Sequence, residues 1–306
     1  MLYNYNEETV YQELYRQGIQ ALSEAGIAEA QLEARLLLEW CCKTDRNTLL
    51  VHGDRRVSSD EYERYRECIA RRESRVPLQH ITGEQEFMGL VFGVNPHVLV
   101  PRQDTEILVE EVMRYLHDGM RILDMCTGSG CILLSLLHYS NGCTGVGVDI
   151  SMEALQTAKE NISRILGMEM GESEKCQWAG PDRRVMLQQG DLFENLDEEE
   201  RFDIIVSNPP YIRTDVIQTL LPEVKDYEPH IALDGKEDGL FFYRRIIAQA
   251  GGYLTGGGML FFEIGYDQGE DVCRLMNDAG YAEVKVIQDY AGLDRVVCGE
   301  YRADTR

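Results

Sequence analysis

Residues able to bind a planar amino group stand at the end of an apolar run. The run Phe202-Asp203-Ile204-Ile205-Val206 predicts a buried strand, and Ser207-Asn208-Pro209-Pro210-Tyr211 follows it directly. Each proline fixes its φ angle and lacks an N–H group, so backbone carbonyls here lack neighbouring amide donors and can accept from a ligand. The Asn208 amide adds a polar acceptor, and the Tyr211 ring adds an aromatic face. The segment predicts a site for an NH2 group, with a proline-rich turn as the alternative.

A glycine-rich turn lies upstream of this strand. Ile122-Leu123-Asp124-Met125 predicts a strand, and Cys126-Thr127-Gly128-Ser129-Gly130 leads from it into the apolar run at 132–137. The glycines allow backbone conformations and close ligand approach that a Cβ would hinder, and the start of the following helix presents free N–H groups. A second strand ends at Asp149, about where nucleotide-binding βαβ units place a ribose acceptor. The pattern predicts a nucleotide or nucleoside site.

The position of Asp124 bears on which nucleotide would bind. A dinucleotide enzyme is the rival interpretation, but a carboxylate ahead of the glycines would repel a pyrophosphate. The same carboxylate would suit a ligand that carries an ammonium or sulfonium charge. Asp149 has an alternative too, because it could cap a helix that starts near Ser151.

Taken together, these segments resemble the successive motifs of class I methyltransferases that use S-adenosyl-L-methionine. The motifs are Asp124 to Gly130, Asp149, Gly190-Asp191-Leu192-Phe193 and Asn208-Pro209-Pro210-Tyr211. Members with an Asn/Asp-Pro-Pro-Tyr tetrapeptide methylate amino or amide nitrogens. Three further segments, at 77–83, 100–106 and 227–233, narrow the resemblance. The chain resembles the protein-(glutamine-N5) methyltransferases of peptide chain release factors, the PrmC or HemK family.

This resemblance implies an enzyme with a defined reaction. It would transfer a methyl group from S-adenosyl-L-methionine to the side-chain amide nitrogen of glutamine in the Gly-Gly-Gln motif of class I peptide chain release factors. S-adenosyl-L-homocysteine would be the product, and translation termination would be modulated. An N-methyltransferase acting on exocyclic amino groups of nucleic acid is the alternative within the fold. A module that binds the nucleotide without turnover is the alternative from another class.

Site residues follow from the same resemblance. Catalysis is assigned to Asn208, Pro209 and Tyr211. The cofactor is assigned to Asp124, Cys126, Thr127, Gly128, Ser129, Gly130, Asp149, Asp191, Leu192 and Asn208. The substrate amide is assigned to Asn208, Pro209, Pro210, Tyr211 and Glu228. Asp191 and Glu228 could instead serve as turn residues. Cys126 departs from the family, which usually has glycine there. No metal site is expected, because the histidines lack ligand spacing.

Composition narrows the partners and the compartment. The chain has 306 residues, 44% of them hydrophobic, and a formal net charge of −23. Such a negative field opposes approach to phosphate, so we expect no direct nucleic-acid binding. No stretch reaches the about 20 apolar residues that span a bilayer, and the start lacks the order of a signal peptide. We expect a cytoplasmic monomer whose nine cysteines are reduced thiols.

The order of patterns predicts two domains and a linker. Residues 1–76 show helical periodicity and predict a helical substrate-docking domain, with Leu32, Leu36 and the neighbouring aliphatic residues on one stripe and a capped helix start at Ser58. Residues 77–101 predict a β-hairpin linker around Gly89. Residues 102–306 predict an α/β domain with a Rossmann-like, mostly parallel sheet, and the resemblance adds an antiparallel edge. The polar stretch 167–184 is expected to be a surface insertion without a catalytic role.

Overall fold

The fold divides into two compact units. A computed structural model of the chain describes residues 8–171, 176–179 and 184–302. One unit comprises the chain up to Gly83 together with Leu221–Tyr227, and the other comprises Glu84–Leu220 and the chain from Glu228 onward. The hairpin region thus groups with the second unit, and a short later segment groups with the first. The domain boundaries at 76 and 101 stay a prediction.

The first unit is helical throughout its regular elements. Its helices are α1 (Tyr11–Glu24), α2 (Ala30–Cys42), α3 (Arg46–Val51), α4 (Ser59–Glu73), α5 (Leu78–Thr82) and α10 (Pro222–Lys225). Helix α4 begins as predicted: the Ser58 hydroxyl accepts from the Glu61 amide, and the Glu61 carboxylate accepts from the Ser58 amide at 2.8 Å. These two bonds satisfy donors that the first helical turn would otherwise leave unpaired.

The predicted stripe of α2 is only partly buried. Leu32 is 41% exposed and Leu36 is only half-buried, whereas Ala34, Leu37 and Leu38 are fully buried. The buried face is set by small residues at helical spacing, and these allow α1 and α4 to approach closely. Leucine alone was therefore a poor guide to the orientation of this helix.

A buried arginine holds the later segment in the helical unit. Arg72 of α4 forms ion pairs with Glu33 of α2 and with Glu223 of α10, and its side chain is only 6% exposed. Arg75 also pairs with Glu223, at 2.8 Å, and the Tyr227 hydroxyl donates to the Ser74 carbonyl at 2.6 Å. Charge pairing thus fastens Leu221–Tyr227 to helices that lie far away in the sequence.

The second unit begins with the predicted hairpin. Strands β1 (Glu84–Phe87) and β2 (Leu90–Gly93) pair antiparallel across Met88 and Gly89, which both adopt positive φ angles. Two successive left-handed residues suit the right-handed twist of a two-residue hairpin. The prediction of a hairpin around Gly89 is confirmed.

A single large sheet forms the body of this unit. Strands β3 (Arg121–Met125), β4 (Thr144–Asp149), β7 (Val185–Gln189), β8 (Phe202–Ser207) and β9 (Leu254–Glu263) are parallel. Strands β10 (Ala282–Gln288) and β11 (Asp294–Glu300) add the expected antiparallel edge beside β9. The order is β10, β11, β9, β8, β3, β4, β7, followed by β6 (Cys176–Ala179) and β5 (Met170–Gly171). The predicted fold class is confirmed.

Helices cover both faces of the sheet. One apolar cluster joins the sheet to α6 (Gln103–Met113), α7 (Cys131–His138) and α8 (Met152–Leu166), and another joins it to α12 (Phe241–Ala250) and α13 (Gly269–Asp278). Successive strand residues such as Ile122 and Leu123 enter opposite clusters, as the period of two requires. Short helices α9 (Thr214–Ile217) and α11 (His230–Leu233) complete the unit.

Strands β5 and β6 fall in the stretch predicted as a surface insertion. They pair antiparallel with each other, and β6 pairs with β7, so part of this stretch extends the sheet. Residues 172–175 and 180–183 of the insertion lie outside the described residues. No helix in the described part of the chain is long and apolar enough to cross a bilayer.

Candidate active site

Two neighbouring parallel strands end together at the site. Met125 of β3 is the register partner of Ser207 of β8, so Cys126 and Asn208 leave the sheet side by side. The chain continues from β3 to β4 and β7 on one side, and β8 and β9 lie on the other. Open α/β sheets bind ligands in the crevice at such a reversal of strand order. A cavity of about 360 Å³ opens there.

The turn after β3 depends on left-handed backbone. Cys126, Gly128 and Gly130 have φ angles of +64°, +56° and +79°. A side chain in this region is disfavoured because its Cβ approaches the following carbonyl oxygen. The left-handed conformation at Cys126 is one that glycine adopts without strain, so the glycine that the family resemblance leads us to expect there would suit this backbone. At Gly128, a Cβ would meet no atom within 4 Å, which leaves that side of the turn open.

Asp124 is a buried carboxyl beneath this turn. Its Oδ2 accepts from the Thr127 hydroxyl at 2.6 Å, whereas Oδ1 has no partner with good hydrogen-bond geometry among the described residues. Burial raises its pKa to about 7, although hydrogen bonding from the Thr127 hydroxyl and the Leu133 amide acts in the opposite direction. A nearby cation would stabilise the ionised form.

Asp149 holds the glycine turn in place. Its Oδ2 accepts from the Gly128 amide and its Oδ1 from the Ser151 amide, both at 2.9 Å. Burial raises the pKa of Asp149, and these backbone donors counteract the rise. Ser151, not Asp149, caps helix α8, because its hydroxyl accepts from the Ala154 amide. Each carboxylate oxygen can accept a second hydrogen bond, so Asp149 can also receive a ligand hydroxyl.

An ion pair lies at another side of the cavity. Asp191 follows β7, and its Oδ1 accepts from Arg245 of α12 at 2.9 Å. The Arg245 guanidinium also lies over the Phe241 ring, 5.6 Å from the ring centroid, which is within the about 6 Å at which a cation is attracted to an aromatic face. Asp191, Phe241 and Arg245 all line the cavity. The arrangement offers a charged group and an aromatic ring to a flat ligand.

Asn208 lines the cavity, and its amide nitrogen lies toward Thr105. The residue is half-buried, and its Nδ2 donates to the Thr105 hydroxyl of α6 at 3.4 Å. The Ser207 hydroxyl donates to the Met125 carbonyl at 2.7 Å and joins the two strand ends. Because the amide nitrogen faces Thr105, Oδ1 is the atom of Asn208 that can accept from a ligand.

Tyr211 is held away from the cavity lining. Its hydroxyl donates to Glu263 at 3.3 Å, and its carbonyl accepts from the Gln268 amide group at 3.0 Å. Burial raises the pKa of the Tyr211 phenol well above its ordinary value. Glu228, which is buried, instead accepts from Arg102, and burial raises its pKa as well.

Known proteins match nearly the whole chain. The release factor glutamine methyltransferase of Clostridium botulinum is 41% identical over 290 residues, which cover 94% of this chain and 98% of the relative. That of Geobacter sulfurreducens is 42% identical over 278 residues, which cover 91% of this chain and 92% of the relative. The chain belongs to the release factor glutamine methyltransferase family.

Domain models support the same family. Residues 13–83 match the PrmC N-terminal domain, and residues 116–233 match a methyltransferase domain. The second range includes the glycine turn, Asp149 and Asn208. A methyltransferase from Pyrococcus furiosus has a similar fold, with a TM-score of 0.50 at 18% identity over 71% of this chain and 91% of that one. This likeness bears on the fold alone.

Most of the predicted site residues line the cavity of this member of the release factor glutamine methyltransferase family. Those in its lining are Cys126, Thr127, Gly128, Ser129, Asp149, Asp191, Leu192, Asn208 and Pro210. The others lie outside the lining, namely Asp124, Gly130, Pro209, Tyr211 and Glu228. Their roles stay predictions.

Sequence reasoning missed several lining residues. Thr105 stood in a segment used only for the family resemblance, and Phe241, Phe242 and Arg245 belong to no motif that we recognised. The signal available for Thr105 was its position in the first turn of a helix that follows a proline, but nothing near it in sequence points to Asn208. Contacts across 103 residues of chain are visible only in the fold.

Proposed function

We propose that this protein transfers a methyl group from S-adenosyl-L-methionine to the side-chain amide nitrogen of the glutamine in the Gly-Gly-Gln motif of class I peptide chain release factors. The observation that carries the proposal is that Asn208 lines the same cavity as the glycine turn. The side chain proposed to bind the amide, Asn208, and the glycine turn that suits a nucleoside therefore border the same cavity. Family membership supports the reaction and the substrate class.

The residues around the cavity fit S-adenosyl-L-methionine. Gly128 leaves open space beside the turn, and the buried Asp124 has an oxygen without a well-placed partner. Asp124, Thr127, Gly128 and Gly130 would hold the methionine end, and the Asp149 carboxylate would accept from the ribose hydroxyls. When bound, the cofactor supplies an electrophilic methyl group on a sulfonium centre.

Asp191 and Leu192 would border the adenine. Leu192 adopts a positive φ of +58° and is buried, so the backbone after β7 turns sharply at the cavity wall. Arg245 neutralises the Asp191 carboxylate at the same side of the cavity. This pairing limits the local negative charge at a place where we expect a neutral ring.

The substrate amide is a weak nucleophile, because its nitrogen lone pair is delocalised into the carbonyl. Asn208 Oδ1 and the Pro209 carbonyl would accept its two N–H groups and hold the nitrogen in line with the methyl carbon. The same two acceptors would stabilise the positive charge that develops on nitrogen during transfer. Pro210 cannot donate an N–H to compete for them.

Proton removal needs no dedicated base before transfer. The amide proton becomes acidic only as the new carbon–nitrogen bond forms, so it can leave afterwards to water. Tyr211 would support the amide site without using its phenol hydroxyl, because that hydroxyl donates to Glu263. Glu228 lies in the predicted substrate region and would act through Arg102, which it binds.

Methyl transfer from labelled S-adenosyl-L-methionine tests the proposal directly. The acceptors are a purified class I release factor, its Gly-Gly-Gln→Gly-Gly-Ala variant and a structured RNA, with peptide mass mapping of the product. We expect label on the glutamine and none on the variant. Label on RNA alone would move the function to the nucleic-acid alternative, which the relatives do not favour. Cofactor binding without any label would point to a binding module.

Asn208→Ala is the first variant to make. We expect it to lower transfer by at least about 100-fold, because it removes an acceptor that the transition state needs. Affinity for S-adenosyl-L-methionine, measured by calorimetry, should change less than about threefold, since the ribose and adenine contacts lie elsewhere. Normal turnover in this variant would refute the assigned mechanism.

Composition and family membership support a proposal for the compartment, the oligomeric state and the partner of the enzyme. Release factors act with the ribosome, so we propose a cytoplasmic location and a monomeric enzyme that meets its protein substrate directly. The helical unit, whose range overlaps the PrmC N-terminal domain match, would dock the release factor. With a net charge of −23, direct contact with nucleic acid is disfavoured.

A further inference from the structure

We propose that Cys41 and Cys68 are an oxidative modification site, at which a small peroxide produces a reversible disulfide. Both residues belong to the helical unit, and neither lines the cavity that we assign to methyl transfer. The proposed site therefore does not depend on the methyltransferase reaction. The two sulfurs are free thiols in the structure, which represents the reduced form of the site.

The two thiols are in contact inside the core of the helical unit. Cys41 is the penultimate residue of α2, and Cys68 lies in the second half of α4. Cys41 Sγ donates a hydrogen bond to Cys68 Sγ at 3.6 Å, and the side chains belong to the same buried cluster. Because the sulfurs of a disulfide are about 2.05 Å apart, the thiols must approach each other by only about 1.5 Å to bond.

Further contacts on the same face of α4 hold the two helices together. Tyr65, Cys68 and Arg72 are spaced by three and four residues, so they share one helix face. The Tyr65 hydroxyl donates to the Ala34 carbonyl of α2 at 3.1 Å, and Arg72 forms its ion pair with Glu33 of α2. The thiol contact is therefore part of an interface that is fixed at other points. A cross-link would not require the helices to exchange partners.

The direction of the hydrogen bond gives the two sulfurs different parts in the reaction. Hydrogen bonding from the Cys41 thiol lowers the pKa of Cys68; burial opposes this change, and the nearby Arg71 supports it. The thiolate is the form of cysteine that attacks an oxidant, so we assign the attack to Cys68. A small peroxide suits this site because both thiols are buried and are reached only when the helices open locally.

The reaction takes two steps and consumes one molecule of hydrogen peroxide. The Cys68 thiolate attacks one peroxide oxygen, so that an S–O bond forms, the O–O bond breaks and hydroxide leaves to become water. Cys41 then attacks the sulfur of this sulfenic acid, so that the S–S bond forms, the S–O bond breaks and hydroxide leaves with the Cys41 proton as a second water. Two electrons pass from the thiols to the peroxide. A reducing thiol restores both cysteines by thiol–disulfide exchange.

Peptide mass mapping of the full chain tests the pairing. The reduced protein is treated with hydrogen peroxide, the peroxide is removed with catalase, and the protein is denatured, alkylated with iodoacetamide and digested. We expect the Cys41 peptide to be linked to the Cys68 peptide, and dithiothreitol to return both to alkylated thiols. Cys41→Ser and Cys68→Ser should each abolish the link.

Cys42→Ser is the matched control. Cys42 follows Cys41 directly and is buried as well, but within the described part of the chain its sulfur makes no hydrogen bond to another cysteine. The variant should therefore form the link between Cys41 and Cys68 to the same extent as the wild type. A thiol lost from the same core is in this way separated from a thiol lost from the pair.

Hydrogen exchange measures what the cross-link does to the helical unit. A bond between α2 and α4 limits the open states through which their amides exchange. We expect exchange in the peptides of α2 and α4 to become at least about tenfold slower in the oxidised protein. Exchange in α13, which belongs to the other unit, should stay unchanged and return the same rate in both forms.

The wild-type map decides the proposal even if a serine variant fails to fold. Cys68 oxidised to a sulfinic acid beside an alkylated Cys41 would overturn it, and so would a link from Cys41 to Cys42. Both thiols alkylated after a treatment that fully oxidises N-acetylcysteine in the same tube would overturn it too. These measurements read thiols and not methyl transfer, so a negative result leaves the proposed function standing.

Discussion

At the scale of the residue, two residues of the site adopt unfavourable states: one has a left-handed backbone, and the other has a carboxyl group that is excluded from water. Cys126 adopts the left-handed conformation, which costs most side chains about 1–2 kcal/mol and which it holds at φ +64°. Asp124 keeps a carboxyl entirely out of water. Cys126 lies in the turn that we assign to the methionine end, and Asp124 lies beneath that turn, in β3. A bound cation would stabilise these residues further than the neighbouring hydrogen-bond donors alone can in the free protein.

The stability of the free protein should therefore depend on Asp124 and pH. The pKa of Asp124 in the folded state, about 7, lies above the ordinary value of 3.8. The native state keeps a proton that the unfolded state has lost between these values, so unfolding free energy falls as pH rises through this window. Asp124→Asn removes this effect. We expect the variant to gain roughly 2 kcal/mol on wild type between pH 5 and pH 7, measured by urea unfolding.

Asp203→Asn provides the control for this prediction. Asp203 lies near the start of β8, where it accepts from the Arg121 amide at 2.8 Å. The same two variants separate stability from binding, because only Asp124→Asn should weaken affinity for S-adenosyl-L-methionine. A pH-independent difference between Asp124→Asn and wild type would contradict the assignment.

At the scale of the element, one asparagine connects the hairpin to the glycine turn. Asn161 of α8 is fully buried; its Oδ1 accepts from the Gly93 amide at 2.7 Å. Its Nδ2 donates to the Gly93 carbonyl at 3.0 Å and to the Ser129 carbonyl at 2.9 Å. Backbone groups of two elements are thus satisfied by one side chain. The hairpin therefore contributes to the site through α8.

Asn161→Ala should damage stability and binding together. The change leaves three buried backbone groups without partners, each worth about 1–3 kcal/mol. We expect a loss of at least about 2 kcal/mol in urea unfolding and weaker affinity for S-adenosyl-L-methionine. Asn277→Ala on α13 is the comparison, since Asn277 is exposed and donates only to its own helix. It should cost less than about 0.5 kcal/mol.

Elements were predictable from sequence where local patterns specify them. The strand ahead of Asn208, the turn at Gly89 and the cap at Ser58 each have a short signature, and the structure contains all three. The antiparallel edge, which the structure also contains, was expected from the family resemblance. The buried face of α2 was only partly predictable from its leucines, because Leu37 and Leu38 are buried whereas Leu32 is 41% exposed. The partner of Asn208 could not be read either, since Thr105 comes from a distant part of the chain.

At the scale of the whole molecule, the path of the chain links the two halves. The chain leaves the second unit after Leu220, contributes Leu221–Tyr227 to the helical unit and then returns. This excursion separates Asn208-Pro209-Pro210-Tyr211 from Glu228, both of which we assign to the substrate. Arg72 holds the excursion through Glu223. Docking and catalysis would therefore share one continuous segment.

Arg72→Met should release that segment. It leaves Glu33 and Glu223 without their common cation, and breaking such a buried pair costs about 3 kcal/mol or more. We expect loss of stability in the helical unit and faster limited proteolysis within residues 221–227. Arg66→Met on the same helix is the control, because its pair with Glu63 is exposed and should contribute little. Equal protease sensitivity in both variants would argue against this role.

The two edges of the sheet have a consequence for self-association. At one edge, β10 carries the exposed charges of Glu283 and Lys285, and its register is interrupted between Ala282 and Lys285. At the other edge, β6 covers β7, and β5 that follows is only two residues long. Charged, irregular or very short edges give an incoming strand little to pair with. Within the described residues, the two edges therefore offer little template for edge-to-edge aggregation, and we expect copies of the protein to stay apart in solution.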